Sequence, residues 1–254
     1  MHVEWWKLKA HELRTLAARG ATVIMPVGSM EQHGPHLPVQ VDSLLAGEVS
    51  RRAALRLAPR VPVVVTPTVW MGLAEHHMDF GGTFTLDFAA YHALLRCLCT
   101  SVDRHGFARI FILNGHGGNV SALGVIAGEL AHTLNAKVAT VTYWHLKQTM
   151  ASFKQILEHQ DNVLHAGEAE SSMLLALVPE LVDQQAMRNV EGPLGGIVRA
   201  SGAYGYKHIS QISPTGVLGK PQTASAEKGE RLLDAAAEAV AEAVTDEGLW
   251  GAAG

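Results

Sequence analysis

Four short apolar runs, Thr22 to Val27, Val61 to Thr66, Arg109 to Leu113 and Lys137 to Thr142, alternate with stretches whose apolar residues recur at helical spacing. The helical stretches are Leu8 to Arg19, Ser43 to Leu57, Phe88 to Arg104 and Val120 to Leu134, and an alanine-rich one, Ser225 to Thr245, closes the chain. Strand and helix taken in turn predict an α/β fold: a parallel sheet covered by helices on both faces and joined by right-handed crossovers. The 254 residues, 48% apolar and 17% charged, are enough to bury a substantial core. No internal repeat, low-complexity tract or composition break divides them, so 1–254 is expected to be a single domain. Gly192 to Thr223, rich in Gly, Pro and Ser without sustained periodicity, is expected to be a long loop near the functional site.

In a parallel sheet every loop that follows a strand emerges at the same edge, and ligands bind there. The segments 28–42, 70–83, 114–119 and 143–170 are read as such loops, so their residues should converge. Glu31-Gln32-His33-Gly34-Pro35-His36 followed by Asp42 places four candidate metal ligands within twelve residues. Carboxylates and imidazoles without a nearby thiolate suit divalent Zn, Mn, Fe or Co. Glu31 and His33, two apart in an extended stretch, point to one side with Gln32 facing away. Taken alone this pattern also fits a solvated polar loop. Asp42 is placed to cap the helix from Ser43 and, with two oxygens, can also span two cations.

His116 sits in Asn114-Gly115-His116-Gly117-Gly118-Asn119, where glycines let backbone approach an ion or substrate; a phosphate-binding turn at the helix from Val120 is the alternative. In His165-Ala166-Gly167-Glu168-Ala169-Glu170, placed after another strand, either glutamate could complete a second metal's ligands. His165 could serve as general acid or base, or be a packed core residue. Glu75, His76, His77 and Asp79 face either the substrate or solvent.

Composition narrows the partners. A net charge of -4 gives no basic excess for nucleic acid or an anionic membrane surface, and a small-molecule partner is expected. Met1 to Leu13 carries Glu4, Lys7, Lys9 and His11 instead of an apolar core, and no window reaches membrane-spanning length, so a cytoplasmic protein is expected. Cys97 and Cys99, two apart in a helix, project in different directions and read as reduced packing residues.

Val27-Gly28-Ser29-Met30-Glu31-Gln32-His33-Gly34-Pro35-His36-Leu37-Pro38 with Asp42 resembles the opening signature of the creatininase family of amidohydrolases. The resemblance continues at Glu75-His76 with Phe80-Gly81-Gly82-Thr83, at 114–119, at His165-Ala166-Gly167 with Glu170-Ser171-Ser172, and at Ala224-Ser225-Ala226-Glu227-Lys228-Gly229. It implies a creatininase-like layered fold in a homo-oligomer, usually a hexamer, with two divalent ions (Zn, Mn or Fe) per subunit. Carried over by position, it implies that Glu31 and His116 hold one metal, His33 the other, and Asp42 both, with Glu170 as the last ligand. Glu75, His76, Gly117, Gly118 and Trp144 are then the residues around the substrate.

The chain departs from the creatininase pattern twice. Gly117 and Gly118 stand where creatininases carry an aromatic residue and a metal-binding glutamate, and Asp161 stands where a second tryptophan covers the substrate ring. The expected activity is hydrolysis of a non-peptide C–N bond, in a cyclic amide or formamide, by a metal-bridged hydroxide, with His165 passing the proton to the departing nitrogen. The alternatives are a peptidase of the same fold that trims a modified peptide, and a non-catalytic phosphate or nucleotide binder at Gly115 to Asn119.

Overall fold

The computed structural model describes residues 2–195, 199–200 and 203–251. Thr22–Val27 (β1), Val63–Val65 (β2), Arg109–Asn114 (β3) and Lys137–Thr142 (β4) form a parallel sheet in the order β2-β1-β3-β4. The helices among the described residues are Ala10–Ala18 (α1), Val41–Leu57 (α2), Phe88–Arg104 (α3), Val120–Thr133 (α4), Lys147–Ile156 (α5), Glu168–Leu177 (α6), Gln184–Arg188 (α7) and Ala226–Thr245 (α8).

Side chains of the strands alternate between two cores, as period two requires. Ile24, Val65, Phe111 and Leu113 pack with Leu45 and Val49 of α2, Met173 of α6 and Leu232 and Val240 of α8. Val23, Met25, Ile110 and Ile112 pack on the other face with Tyr91 and Leu95 of α3 and Leu123 and Ile126 of α4. β1 is buried along its whole length, which is why it reads as an unbroken apolar run. The expected strand over 61–66 shrinks to three residues. Pro26 of β1 has no N–H to give, and its carbonyl accepts the Val69 N–H at 2.9 Å beyond the end of β2, so the ladder on that side stops before a neighbouring carbonyl needs the N–H that Pro26 lacks.

The chain leaves β1 towards β2 on one side and later leaves β3 towards β4 on the other. The carboxyl ends of β1 and β3, paired at Val27 and Asn114, therefore flank the switch point where ligands bind in such sheets.

Two expectations are corrected. The α2 helix begins at Val41 with Gln40 at its cap, so Asp42 lies in the first turn and its side chain caps nothing. The segment 143–170 is not one loop after a strand: it contains α5, whose Thr149 and Phe153 are buried, so His165 follows a helix. In the irregular stretch Gly192 to Thr223, Arg199–Ala200 pairs antiparallel with Ala203–Tyr204, and 196–198 and 201–202 lie outside the described residues. At the end of it Ser225 Oγ accepts the Lys228 N–H and starts α8. No helix among the described residues is long and apolar enough to cross a membrane.

Candidate metal centre at the sheet edge

The loop after β1 is closed by the Glu31 N–H to Val39 O bond at 3.0 Å, which turns Glu31 and His33 inward towards the start of α2. Glu31, His33, Asp42, His116 and Glu170 are all buried. His116 Nδ1 lies 3.1 Å from Glu31 Oε2 and 2.9 Å from Asp42 Oδ2. His33 Nε2 lies 3.2 Å from Asp42 Oδ1 and 3.8 Å from Glu170 Oε2. Asp42 thus turns one oxygen to each imidazole, and two ligand triads, Glu31/Asp42/His116 and His33/Asp42/Glu170, share it.

Backbone carbonyls assign the ring protons. His116 Nε2 is 3.1 Å from Leu73 O and His33 Nδ1 is 3.1 Å from Glu31 O; a carbonyl only accepts, so those nitrogens carry the protons. The opposite ring nitrogens present lone pairs to Asp42. Glu31 Oε2, His33 Nε2 and Asp42 Oδ2 are buried without a hydrogen-bond partner. Unpaired acceptors facing each other in a dry site are costly, and a cation is the partner that satisfies them all. The oxygen and nitrogen donors fit Zn, Mn or Fe.

Charge tells the same story. Burial disfavours ionised His33, but the charges of Asp42, Glu170 and Glu31 outweigh it and raise its pKa to about 9. His116 is likewise raised against its burial by Glu31 and Asp42, and Asp42 is lowered against its burial by His33 and His116. Burial foremost, then the Asp42 and Glu31 charges, raises Glu170 to about 7. Without an ion the site draws protons onto the very atoms that would ligate one.

The two glutamates of α6 separate. Glu168 is fully buried away from the imidazoles, 2.7 Å from Lys228 Nζ, and accepts the N–H groups of Glu158 and His159 at 3.1 and 3.2 Å. It pins the α5–α6 connection to α8. Glu170 faces His33, and its Oε2 accepts the Ala166 N–H at 2.6 Å. Ala166 has φ of 52°, the left-handed region that a non-glycine residue rarely enters, so the chain holds strain between His165 and Glu170.

His165 is buried, and its Nε2–H donates to Gln32 O at 2.8 Å, leaving Nδ1 open 3.8 Å from Glu31 Oε1. Burial and the nearby His33 charge hold its pKa well below the usual histidine range. A cavity of about 1230 Å³ opens over the cluster, walled by Glu75, His76, Gly117, Gly118, Trp144 and His165 together with apolar Phe88 and Val125.

Asp79 takes the solvent-facing of its two readings. Asp79 is exposed and bonded to His208 and Ser210, outside the cavity wall, and Asp161 is exposed in an ion pair with Lys154. Gln32 does not face away: it is buried, bonded to His77 and to the carbonyl of Gly216. Position 118 has no room for a side chain, since a Cβ there would meet Leu73 O at 2.3 Å and His116 Nε2 at 2.4 Å. The carboxylate of the His33 triad comes instead from Glu170.

Reading the sequence missed two braces. Asn114 accepts the His116 N–H at 3.1 Å and donates to Thr142 Oγ1, while Asn119 accepts the Leu73 N–H and donates to Gly28 O. They tie the ends of β1, β3 and β4 around the His116 turn. The available signal was the pair of asparagines flanking Gly-His-Gly-Gly.

A carboxylate and imidazole cage at the carboxyl edge of a parallel sheet defines a metal-dependent hydrolase. The model of the creatinine amidohydrolase (creatininase) family matches residues 6–244, and the chain belongs to that family, whose amidohydrolases act on C–N bonds. The creatinine amidohydrolase of Pseudomonas putida is 29% identical over 94% of each chain. A mycofactocin precursor peptide peptidase of Mycolicibacterium smegmatis is 33% identical over 87% of this chain and 83% of its own. A manganese creatininase structure shares the fold with a TM-score of 0.81 at 28% identity, covering 97% of this chain and 99% of its own.

Proposed function

We propose that this chain holds two divalent ions per subunit, Zn, Mn or Fe, and hydrolyses the C–N bond of a small cyclic amide or formamide. The observation that carries the reading is Asp42, which offers one oxygen to each of two imidazole-carboxylate triads. Glu31, Asp42 and His116 would hold one ion and His33, Asp42 and Glu170 the other. Ions held there supply positive charge that polarises a carbonyl and makes hydroxide available near neutral pH.

His165 handles the proton. Its Nδ1 is open and the ring is neutral, so it can accept a proton from the attacking water and return it to the leaving nitrogen. Glu75, His76, Gly117, Gly118 and Trp144 orient the amide in the cavity, where Phe88 and Val125 add exposed apolar wall. By the family resemblance the protein works as a single domain over 1–254 in a homo-oligomer, a hexamer, and a cytoplasmic location belongs to the same proposal without resting on that resemblance.

A second reading, a peptidase acting on a modified peptide, is favoured by the cavity: about 1230 Å³ exceeds the roughly 300–1,000 Å³ of common small-ligand pockets. The phosphate-binder reading is disfavoured by the Glu31 and Asp42 carboxylates against the His116 turn, which repel an anion. Metal-reconstituted protein is to be assayed on cyclic amides, formamides and short peptides, with elemental analysis alongside. We expect about two ions per chain, turnover of a cyclic amide or formamide, and a His165→Ala variant that keeps its metal while kcat falls about 10²–10⁴-fold. Absence of bound metal, or full activity in His165→Ala, overturns the reading.

A further inference from the structure

We propose that His77, oriented by Gln32, is a positioning residue that locks Glu31 with a single oxygen turned to the metal pair; the inference rests on the two-ion reading above. The hydrogen bonds assign every proton in the chain of contacts. Gln32 Oε1 accepts the Gly34 N–H at 2.9 Å, so the amide nitrogen points the other way, towards Gly216 O at 3.3 Å. Its second hydrogen goes to His77 Nδ1 at 2.9 Å. It cannot go to His165 Nε2, 3.0 Å away, because that nitrogen already donates to Gln32 O.

Because His77 Nδ1 accepts, its proton is on Nε2, which lies 3.1 Å from Glu31 Oε1. One Glu31 oxygen is thereby held by an N–H. The other, Oε2, is the buried oxygen without a hydrogen-bond partner and faces His116. Glu31 is prevented from swinging both oxygens onto one ion, and its free lone pair is aimed.

The surroundings are built for this. His77 is buried between the rings of His76 and His165, at centroid distances of 4.3 and 4.4 Å, so its ring cannot turn over freely. Gly216 has φ of 77°, and a Cβ there would lie 2.1 Å from Gln32 Oε1, so the backbone is shaped around the Gln32 amide. A residue that only filled space would need neither the amide nor the fixed tautomer. Groups behind metal ligands typically change metal affinity about 10–100-fold.

The test is zinc binding by chelator competition on wild type, His77→Phe and His77→Gln. Phenylalanine keeps the ring without donors, and glutamine keeps an N–H donor at the ε position. We expect one ion of the pair to weaken about 10–100-fold in His77→Phe and to be restored to within about threefold of wild type in His77→Gln. A folded His77→Phe that binds zinc as tightly as wild type, or a His77→Gln as weak as His77→Phe, overturns the proposal. Imidazole ¹⁵N resonances of the wild-type protein decide it without any variant: the Nε2–H form of His77 is expected, and the Nδ1–H form overturns it. A wild type that takes up no zinc refutes the two-ion reading, while the tautomer still judges His77.

Discussion

Replacing Lys228 by methionine separates the two glutamates of α6 by their energetics. Glu168 is fully buried, with Lys228 Nζ at 2.7 Å and the Glu158 and His159 N–H groups at 3.1 and 3.2 Å. Methionine keeps an unbranched apolar side chain and removes the only cation in contact with that carboxylate among the described residues. Breaking one side of a buried ion pair costs about 3–5 kcal/mol, and the backbone donors that remain place this case near the lower end, about 3 kcal/mol. In a chain of this length each kcal/mol moves Tm by about 2–4 °C, so a fall of about 6–12 °C is expected. Calorimetry of chelator-stripped Lys228→Met measures it, with zinc uptake determined in parallel. Glu168→Gln combined with Lys228→Met should recover most of the loss, because no uncompensated charge stays buried. A Tm within about 2 °C of wild type refutes the assignment of Glu168 as a structural staple.

Glu170→Gln should lower bound metal from about two ions per chain to about one, and Asp42→Ala should abolish both; elemental analysis showing the same content in both variants contradicts the shared-carboxylate geometry. In metal-free protein, His33 is raised from 6.5 to about 9, so its contribution is complete below about pH 6.5 and is lost as pH rises towards 9. That difference is worth on the order of 3 kcal/mol, and the metal-free Tm should fall between about pH 7 and 9 while zinc-loaded protein stays level across the same range; a level metal-free profile refutes it. Gly118→Ala places a Cβ against Leu73 O and His116 Nε2, so it should break their hydrogen bond and weaken zinc binding about 10–100-fold, with unchanged affinity as the refuting result.

The fold was legible because it is written in period. An unbroken apolar run with β-branched residues marks a strand buried on both faces, and the expected bounds of β1, α3 and β4 match the structure. The meeting of Glu31, His33 and Asp42 with His116 follows from parallel strands alone, because the residues that follow β1 and β3 leave at the same edge. His165 and Glu170 do not reach the site by that rule. They are carried there by α5, the strained turn at Ala166 and the Glu168–Lys228 clamp, none of which has a local sequence period.

Position 118 shows where composition and geometry part. Its lack of a carboxylate is visible in the sequence, yet the consequence depends on Leu73 O and His116 Nε2 closing the space beside it, a contact between segments 43 and more residues apart in the chain. The carboxylate that faces His33 is that of Glu170, whose Oε2 is held by the Ala166 N–H. The backbone strain at Ala166 accompanies that placement of the carboxylate. One turn gives up its side chain to hold an imidazole, and another adopts an unfavourable φ to deliver the carboxylate.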